Sequence, residues 1–294
     1  MTVARQAAAD RLLSTMRAAL PHGDPVAARF EQLVRIIEGL GSCVLALSGG
    51  IDSSFLLAVA SDLLGPRCLA VTGDSLAVPA WDRANARLAG AAAEVSGGSW
   101  RVVATHELDD PRYAQNPRSR CYYCKTEVYG TLEAIARTEG YATVVDGTNA
   151  TDALATDRPG IAAGEALGVR SPLAEAGVTK QDVRVLARAL GLKDWDRPSS
   201  ACLSSRIPYG ARITPERLRR VEVAELEIRA LGYLQVRVRD LGARARVEVE
   251  AADMERLLAQ SQSVDSALQL AGFGSWSAAV YAGTGAGDVG DSGR

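Results

Sequence analysis

The stretch Ser48-Gly-Gly-Ile-Asp-Ser-Ser54 decides the fold of the first two thirds of the chain. A short apolar run, residues 43–47, precedes it, and a second apolar run, residues 55–60, follows it. This pattern predicts a buried strand, a tight glycine turn and a helix. Gly49 and Gly50 would let the backbone approach a ligand closely, because glycine lacks a side chain and adopts positive φ.

The same turn has the composition of an anion-binding loop. The unpaired N–H groups at the start of a helix, together with its dipole, favour a negatively charged ligand. Further donors come from three hydroxyl side chains, those of Ser48, Ser53 and Ser54. No lysine follows the second glycine, so the stretch is not a Walker loop.

Further strands alternate with helices along the chain, which predicts an α/β fold with a parallel sheet covered on both faces. Together with residues 43–47, the predicted strands make five: residues 68–72, 100–104, 142–146 and 170–173. Ligands bind beyond the carboxyl ends of such strands. The turn at Gly73 and the segment Gly147, Thr148 and Asn149 are therefore expected at the same edge as the Ser48 loop.

The pattern changes near residue 210, where the chain is expected to enter a second domain. Residues 1–210 form the predicted α/β domain, and residues 211–282 form a small α+β domain with an antiparallel sheet. The final residues 283–294 are rich in glycine and are expected to be disordered.

Composition narrows the classes of function. The 294 residues include 33 basic and 35 acidic side chains, a net charge of −2, which argues against a dominant nucleic-acid surface. Neither a signal peptide nor a membrane-spanning run is present, so a cytoplasmic protein without a membrane partner is expected. In that compartment, five cysteines favour metal, catalytic or buried roles over disulfides.

Three cysteines are candidate ligands. Cys121 and Cys124 form a CxxC pair, which can bind a metal or cluster or act as a redox couple. Cys202, in a serine-rich segment, is the third candidate, while Cys43 and Cys68 lie in predicted buried strands. Three thiolates suit a four-iron cluster that keeps one iron free for an exogenous sulfide.

Arg237 and Arg239 alternate along a predicted strand and therefore share one face. Two guanidinium groups on one face could hold a phosphate or carboxylates, although the sequence alone slightly favours a solvated strand face.

These segments together resemble a known family. The Ser48–Ser54 loop resembles the SGGxDS loop of ATP pyrophosphatases. The chain as a whole resembles the LarE family, sulfurtransferases that help to build the nickel-pincer nucleotide cofactor. The resemblance covers residues 34–281 and rests on the Ser48 loop, Arg120-Cys-Tyr-Tyr-Cys-Lys125, Asp146-Gly-Thr-Asn149 and Ala201-Cys-Leu-Ser-Ser-Arg-Ile-Pro-Tyr-Gly210.

The resemblance implies a reaction. ATP and Mg²⁺ would adenylate each carboxylate of pyridinium-3,5-biscarboxylic acid mononucleotide, with release of diphosphate, and sulfur would then displace AMP. The implied roles are loop or metal orientation for Asp52, nucleotide contacts for Gly73, Gly147–Asn149 and Arg206, and substrate-phosphate binding for Arg237 and Arg239. The cysteine set resembles that of the branch which binds a [4Fe–4S] cluster through Cys121, Cys124 and Cys202. Trimer-based homo-oligomers are also typical of the family.

Three alternatives remain at this point. A tRNA thiolase would need a strongly basic face or an added RNA-binding domain. An ammonia-using amide synthetase shares the glycine loop but has no use for three cysteines. A nucleotide or redox sensor would bind ATP without forming diphosphate.

Overall fold

The computed structural model describes residues 3–154, 159–193, 195–198 and 200–282. The chain forms two compact units. The first comprises Met1–Ser75, Trp81–Glu107 and Cys121–Arg197, and the second comprises Leu76–Ala80, Leu108–Arg120 and Pro198–Arg294. The tail predicted at 283–294 lies outside the described residues.

In chain order, the helices and strands of the described residues are α1 (Val3–Ala19), α2 (Pro25–Leu40), β1 (Cys43–Ala46), α3 (Ile51–Leu64), β2 (Cys68–Asp74), α4 (Ala80–Val95), β3 (Ser99–Ala104), α5 (Pro111–Ala114), α6 (Arg120–Glu139), β4 (Val144–Val145), α7 (Ala150–Ala153), α8 (Pro159–Ala166), α9 (Pro172–Glu175), α10 (Lys180–Ala189), α11 (Pro215–Ala230), β5 (Val236–Leu241), β6 (Arg244–Val249), α12 (Met254–Ala259), α13 (Ser261–Leu270) and β7 (Ser275–Val280).

The first unit contains a parallel sheet in the order β3-β2-β1-β4. The predicted α/β architecture with a parallel sheet is confirmed, and the described residues form four strands. At the position of the predicted fifth strand, Arg170 makes a single parallel bridge to Val145. The strand cannot continue, because Pro172 begins helix α9. Gly73, expected in a turn, lies inside β2 opposite Val103.

Alternate side chains of this sheet enter two apolar cores. Leu45 and Ala70 pack with α1, α2, α3 and α10, whereas Val44 and Val71 pack with α6 on the opposite face. Neighbouring residues of a strand enter different cores because successive Cβ atoms point to opposite faces of the sheet. Helices therefore cover both faces of the sheet, and its strand ends are left for ligands.

Cys43 and Cys68 face each other at the first positions of β1 and β2. Both are fully buried, and their sulfur atoms lie 4.0 Å apart as thiols. The prediction that these two cysteines belong to the core is confirmed. Contact with Cys43 and burial raise the pKa of the Cys68 thiol well above its ordinary value.

The second unit contains a three-stranded sheet in the order β5-β6-β7. Strands β5 and β6 are antiparallel, as predicted, but β7 runs parallel to β6. The expected wholly antiparallel sheet is therefore mixed. Two helices, α12 and α13, lie between β6 and β7 in the chain and provide the crossover that a parallel pair needs. One face of the sheet packs on these helices and on α11.

Among the described residues, no helix is both long and apolar enough to cross a lipid bilayer.

Candidate active site

The Ser48 loop connects the carboxyl end of β1 to helix α3. Gly49 has φ +77°, and a Cβ there would lie 2.9 Å from the carbonyl carbon of Asp82 and 3.0 Å from the nitrogen of Ala86. The loop is thus pressed against the first turns of α4, and only glycine fits both the backbone angle and the space.

The serines of the loop bond to one another and to the loop backbone. The Ser48 and Ser53 hydroxyl oxygens are 3.1 Å apart, and the Gly50 N–H donates to the Ser48 hydroxyl at 3.3 Å. Gly50 precedes α3, and no side chain of the described residues caps this helix. The N–H groups of the first turn of α3 therefore remain available for an anion.

The segment after β4 packs directly on this loop. A Cβ at Gly147 would lie 2.7 Å from the Ser53 nitrogen, so glycine is required at this contact. Asn149 is fully buried, caps α7 by accepting from the Asp152 N–H at 3.0 Å, and donates to Asp52 at 3.5 Å. The structure thus brings the two predicted nucleotide-binding segments together at one edge of the sheet.

Asp52 forms an ion pair with a lysine that the sequence analysis did not predict as a site residue. Lys180, the first residue of α10, forms an ion pair with the Asp52 carboxylate. Burial raises the pKa of Asp52 above its ordinary value, whereas the charge and hydrogen bond of Lys180 act in the opposite direction. The nearby carboxylate of Asp152 also raises it. Two carboxylates and an amide oxygen therefore surround the start of α3 and α7.

The CxxC pair lies on the first turn of α6. Cys121 and Cys124 are three residues apart in the helix and hence on one face, the former exposed and the latter half-buried. The described residues of the first unit contain no third Cys, His, Asp or Glu positioned to complete a metal site with them. Within its own unit, the pair can supply two ligands to a metal or cluster.

A chain of polar contacts runs from this helix to the nucleotide edge. The Lys125 ammonium lies 4.8 Å from the centre of the Tyr129 ring, and the Tyr129 hydroxyl donates to Asp146 at 2.5 Å. Asp146 also accepts from the Thr148 N–H at 3.0 Å and from the Ser171 hydroxyl at 2.7 Å. Asp146 therefore holds the Gly147–Asn149 segment in register with α6.

Burial also shapes the titration of this chain. The pKa of Tyr129 is raised to about 12: burial is the largest cause, the charge of Lys125 opposes it, and the negative charge of Asp146 adds to it. For Lys125, burial by itself lowers the pKa, but the charges of Tyr129 and Asp146 raise it overall. At neutral pH the ammonium is therefore charged and the phenol neutral.

In the second unit, Cys202 precedes a single 3₁₀ turn, Leu203–Arg206, and is half-buried. Arg206 is 2% exposed and donates to the carbonyl oxygens of Ala201 at 2.8 Å and Cys202 at 3.3 Å. It also forms a bidentate ion pair with Glu225 at 2.7 and 3.1 Å. Arg206 thus fixes the backbone around Cys202, and its predicted contact with ATP phosphates stays a prediction.

Arg237 and Arg239 share the face of the sheet opposite the helices. Arg239 donates to the Ser205 carbonyl oxygen at 2.7 Å and to Glu248 at 3.0 Å. Arg237 is 4% exposed, its guanidinium carbon is 4.5 Å from the centre of the Tyr281 ring, and its buried Nη2 has no hydrogen-bond partner among the described residues. Burial lowers the pKa of Arg237, and the positive charge of Arg206 adds to this effect.

An unpartnered buried guanidinium nitrogen requires a partner that these residues do not provide. Glu248 already accepts from Arg239 and from Arg246 at 3.2 Å, and Glu225 is paired with Arg206. The positive charge of Arg237 is therefore available to an anion beside the Cys202 segment. Sequence periodicity placed Arg237 on the correct strand but could not show that it is buried.

The fold and these contacts define the class of the chain: an α/β protein with a glycine loop at the edge of a parallel sheet and three cysteines outside the core. No protein-family model matches the chain. Several individual proteins are nevertheless similar in sequence to the chain. An uncharacterized protein of Synechocystis, slr1717, is 41% identical over 230 residues, or 78% of this chain and 84% of its own.

The pyridinium-3,5-bisthiocarboxylic acid mononucleotide synthase of Lactiplantibacillus plantarum is 35% identical over 252 residues, which are 84% of this chain and 89% of that protein. The uncharacterized protein MJ0830 of Methanocaldococcus jannaschii is 28% identical over 221 residues, 75% of this chain and 82% of its own. The chain belongs to the family of the Lactiplantibacillus synthase, the LarE family.

Proposed function

We propose that this chain is an ATP-dependent sulfurtransferase that converts pyridinium-3,5-biscarboxylic acid mononucleotide to the bisthiocarboxylic acid. The name of the Lactiplantibacillus relative supports the product. The chemistry requires activation first, because a carboxylate is a poor electrophile. The substrate carboxylate attacks the α-phosphate of ATP, diphosphate leaves, and a sulfur nucleophile then displaces AMP from the acyl-adenylate. Repetition at the second carboxylate completes the product.

The Ser48 loop is the proposed site for the diphosphate part of ATP. Its uncapped helix start offers N–H donors, and Gly49 and Gly50 keep side chains away from the phosphates. Such donors stabilise the charge that develops on the departing diphosphate. Gly73 at the end of β2 and the Gly147–Asn149 segment are proposed to line the nucleotide on either side.

Mg²⁺ fits the carboxylates at this edge. Magnesium binds through one or two carboxylates together with substrate phosphates, and Asp52 and Asp152 lie close enough to influence each other electrostatically. Asp52 is proposed to hold the ion, and Lys180 to hold Asp52. The ion would shield the negative charge of the phosphates from the attacking carboxylate.

The proposed binding site for the substrate phosphate is based on Arg237. Its buried Nη2 lacks a partner, and the hydrogen bonds of Arg239 and Arg206 to residues 201–205 link the arginine face to the Cys202 segment. A phosphate accepts charge-assisted hydrogen bonds of this kind in a bidentate manner. We therefore propose that Arg237 and Arg239 bind the phosphate of the mononucleotide and so place its ring near Cys202.

The cysteines fit a [4Fe–4S] cluster in part. Cys121 and Cys124 on one helix face suit two ligand positions, and Cys202 is the proposed third. Such a cluster would supply an iron site able to carry the sulfide that the reaction consumes. Around it, Lys125 contributes a positive charge beside Cys124. A homo-oligomer built on trimers is proposed as the assembly.

The substrate proposal is tested with Arg237→Gln and, as a matched control, Arg246→Gln from the same face. The loss of a charged hydrogen bond of about 1.5–3 kcal/mol predicts a 10- to 150-fold rise in KM for the mononucleotide in Arg237→Gln. The KM for ATP should not change, and Arg246→Gln should change neither constant much. An equal effect of the two substitutions on KM would refute the role of Arg237.

The cluster proposal is tested by iron and acid-labile sulfide content after anaerobic reconstitution. Wild-type protein and the core control Cys68→Ala should bind about four irons per chain. Each of Cys121→Ala, Cys124→Ala and Cys202→Ala should lose them. If wild-type protein binds no iron, the cluster is excluded, and mass spectrometry of Cys202 after one turnover then tests whether the cysteine gives up its own sulfur.

A further inference from the structure

The first unit contains a cleft between the C-terminal end of α1 and helix α10. Its volume is about 1050 Å³. Leu20, Trp195 and Thr151 are among the residues that line it. None of the described residues that line it is acidic. The sequence motifs give no reason to expect such a cleft, since its lining residues are spread from α1 to position 195.

Three cationic side chains enter this cleft from one helix. Lys180, Arg184 and Arg188 are spaced four residues apart on α10, so they form a row on one face of the helix with steps of about 6 Å. The opposite face of α10 is buried in the apolar core through Val183, Leu186 and Ala187. The row is therefore fixed in direction by packing.

The three cations differ in what they already contact. Lys180 forms its ion pair with Asp52, and Arg188 lies with its guanidinium carbon 5.0 Å from the centre of the Trp195 ring. The Nε of Arg184 is buried and has no hydrogen-bond partner among the described residues. Arg184 and Arg188 thus bring two positive charges into a space whose described walls hold no negative charge.

We infer that this cleft is a second phosphate-binding site, distinct from the Ser48 loop, that takes a small phosphate-bearing anion. Arg184 would contribute a guanidinium charge to the phosphate. Arg188 would provide a second charged contact, and the Thr151 hydroxyl would provide a neutral one. Two sources share this chemistry, inorganic diphosphate and a nucleotide such as AMP, and both are products of the proposed reaction.

The position of Lys180 couples the two sites. Its ammonium pairs with Asp52 on the loop side and also lines the cleft. An anion in the cleft competes with Asp52 for this charge, so occupation of the cleft should alter ligand binding at the loop. Part of this inference, the identity of the ligand as a reaction product, rests on the proposed function; the existence of the phosphate site does not.

The test is calorimetric titration of the full chain with inorganic diphosphate and, separately, with AMP, at two salt concentrations. Arg184→Gln/Arg188→Gln and the exposed single variant Arg188→Gln are compared with Arg35→Gln, which removes one exposed charge from α2 and controls for net charge. Thermal unfolding of each variant checks that it is folded.

We expect one of the two probes to bind wild-type and Arg35→Gln protein at two sites per chain. The double variant should retain the loop site and weaken the second about 100-fold, and Arg188→Gln should weaken it about tenfold. The probe that shows the second site identifies the source of the phosphate. Unchanged titrations of both probes in the folded double variant would overturn the inference.

Two further outcomes are informative. Salt-dependent binding of a short RNA that is lost in the double variant, with both small probes unaffected, would show a nucleic-acid surface and refute the small-anion site. A chain that forms no diphosphate from ATP with any substrate, yet shows the second site in titration, would refute the proposed function and leave the phosphate site intact.

Discussion

Replacement of Gly49 by alanine is expected to destabilise the first unit by about 2–4 kcal/mol. The magnitude has three parts. A non-glycine residue at φ +77° costs about 1–2 kcal/mol. The new Cβ would also overlap the Asp82 carbonyl group, and overpacking of this kind costs about 1–3 kcal/mol. The lower entropy of the unfolded alanine chain offsets about 0.4–1 kcal/mol.

Gly140 provides a matched control for the backbone part of this prediction. It has the same φ of +77°, but a Cβ there would meet nothing within 4 Å. Gly140→Ala should therefore cost only the difference between strain and entropy, about 1 kcal/mol. The remaining loss in Gly49→Ala measures the contact between the loop and α4.

Urea denaturation gives both free energies of unfolding, and titration with ATP reports the loop itself. Gly49→Ala should bind ATP at least tenfold more weakly, because relief of the overlap displaces the loop from α4. Gly140→Ala should bind ATP as the wild type does. Equal free energies of unfolding in the two variants would refute the argument that close packing on Asp82 requires glycine at position 49.

Two other predictions concern buried charge. Glu225→Gln leaves Arg206 buried without a counter-charge and should lower the free energy of unfolding by about 3–5 kcal/mol, measured with urea. Raising the pH from about 10 to about 12 should lower the free energy of unfolding by up to about 2–3 kcal/mol through Tyr129. Its phenol ionises near pH 10 when unfolded but only near 12 when folded, so the stabilisation is complete below about pH 10 and is lost progressively as the pH rises to about 12.

Each of these has a control. Glu139→Gln removes a largely exposed partner of Arg101 and should cost less than about 1 kcal/mol, so a similar loss in the two glutamate variants would contradict the role of burial. Tyr129→Phe cannot ionise and should show a smaller fall in stability across the alkaline window. An identical pH profile in wild-type and Tyr129→Phe protein would mean that another group causes the fall.

Much of the first unit could be predicted because its signals are local. The apolar run before the Ser48 loop and the glycines within it specify β1, the turn and α3 without reference to other segments. Strand direction is not local. The alternation in residues 275–280 predicts a strand, but only the crossover through α12 and α13 makes β7 parallel. A fifth strand was predicted at residues 170–173, but only one bridge forms there because Pro172 starts a helix.

The candidate site was predictable to the same extent. Residues 48–54 and 147–149 were expected at one edge from the rule for parallel sheets, and their direct packing agrees with that rule. Lys180 was missed because it lies 128 residues from Asp52 and follows no recognised spacing. The one signal in the sequence was that Lys180 follows Thr179, a helix-capping residue, and so begins a helix. The surroundings of Arg237 include Tyr281 and Arg206, which lie far from it along the chain, so periodicity cannot report its burial.

The facing pair Cys43 and Cys68 has a practical consequence for chemical labelling. Both thiols are sealed in the sheet, and the raised pKa of Cys68 keeps it in the unreactive protonated form. Alkylating reagents applied to the folded chain without a bound cluster should therefore modify Cys121, Cys124 and Cys202 alone, and denaturant should add two further modifications. The difference between the two counts is an internal measure of how much of a preparation is folded, available without any substrate.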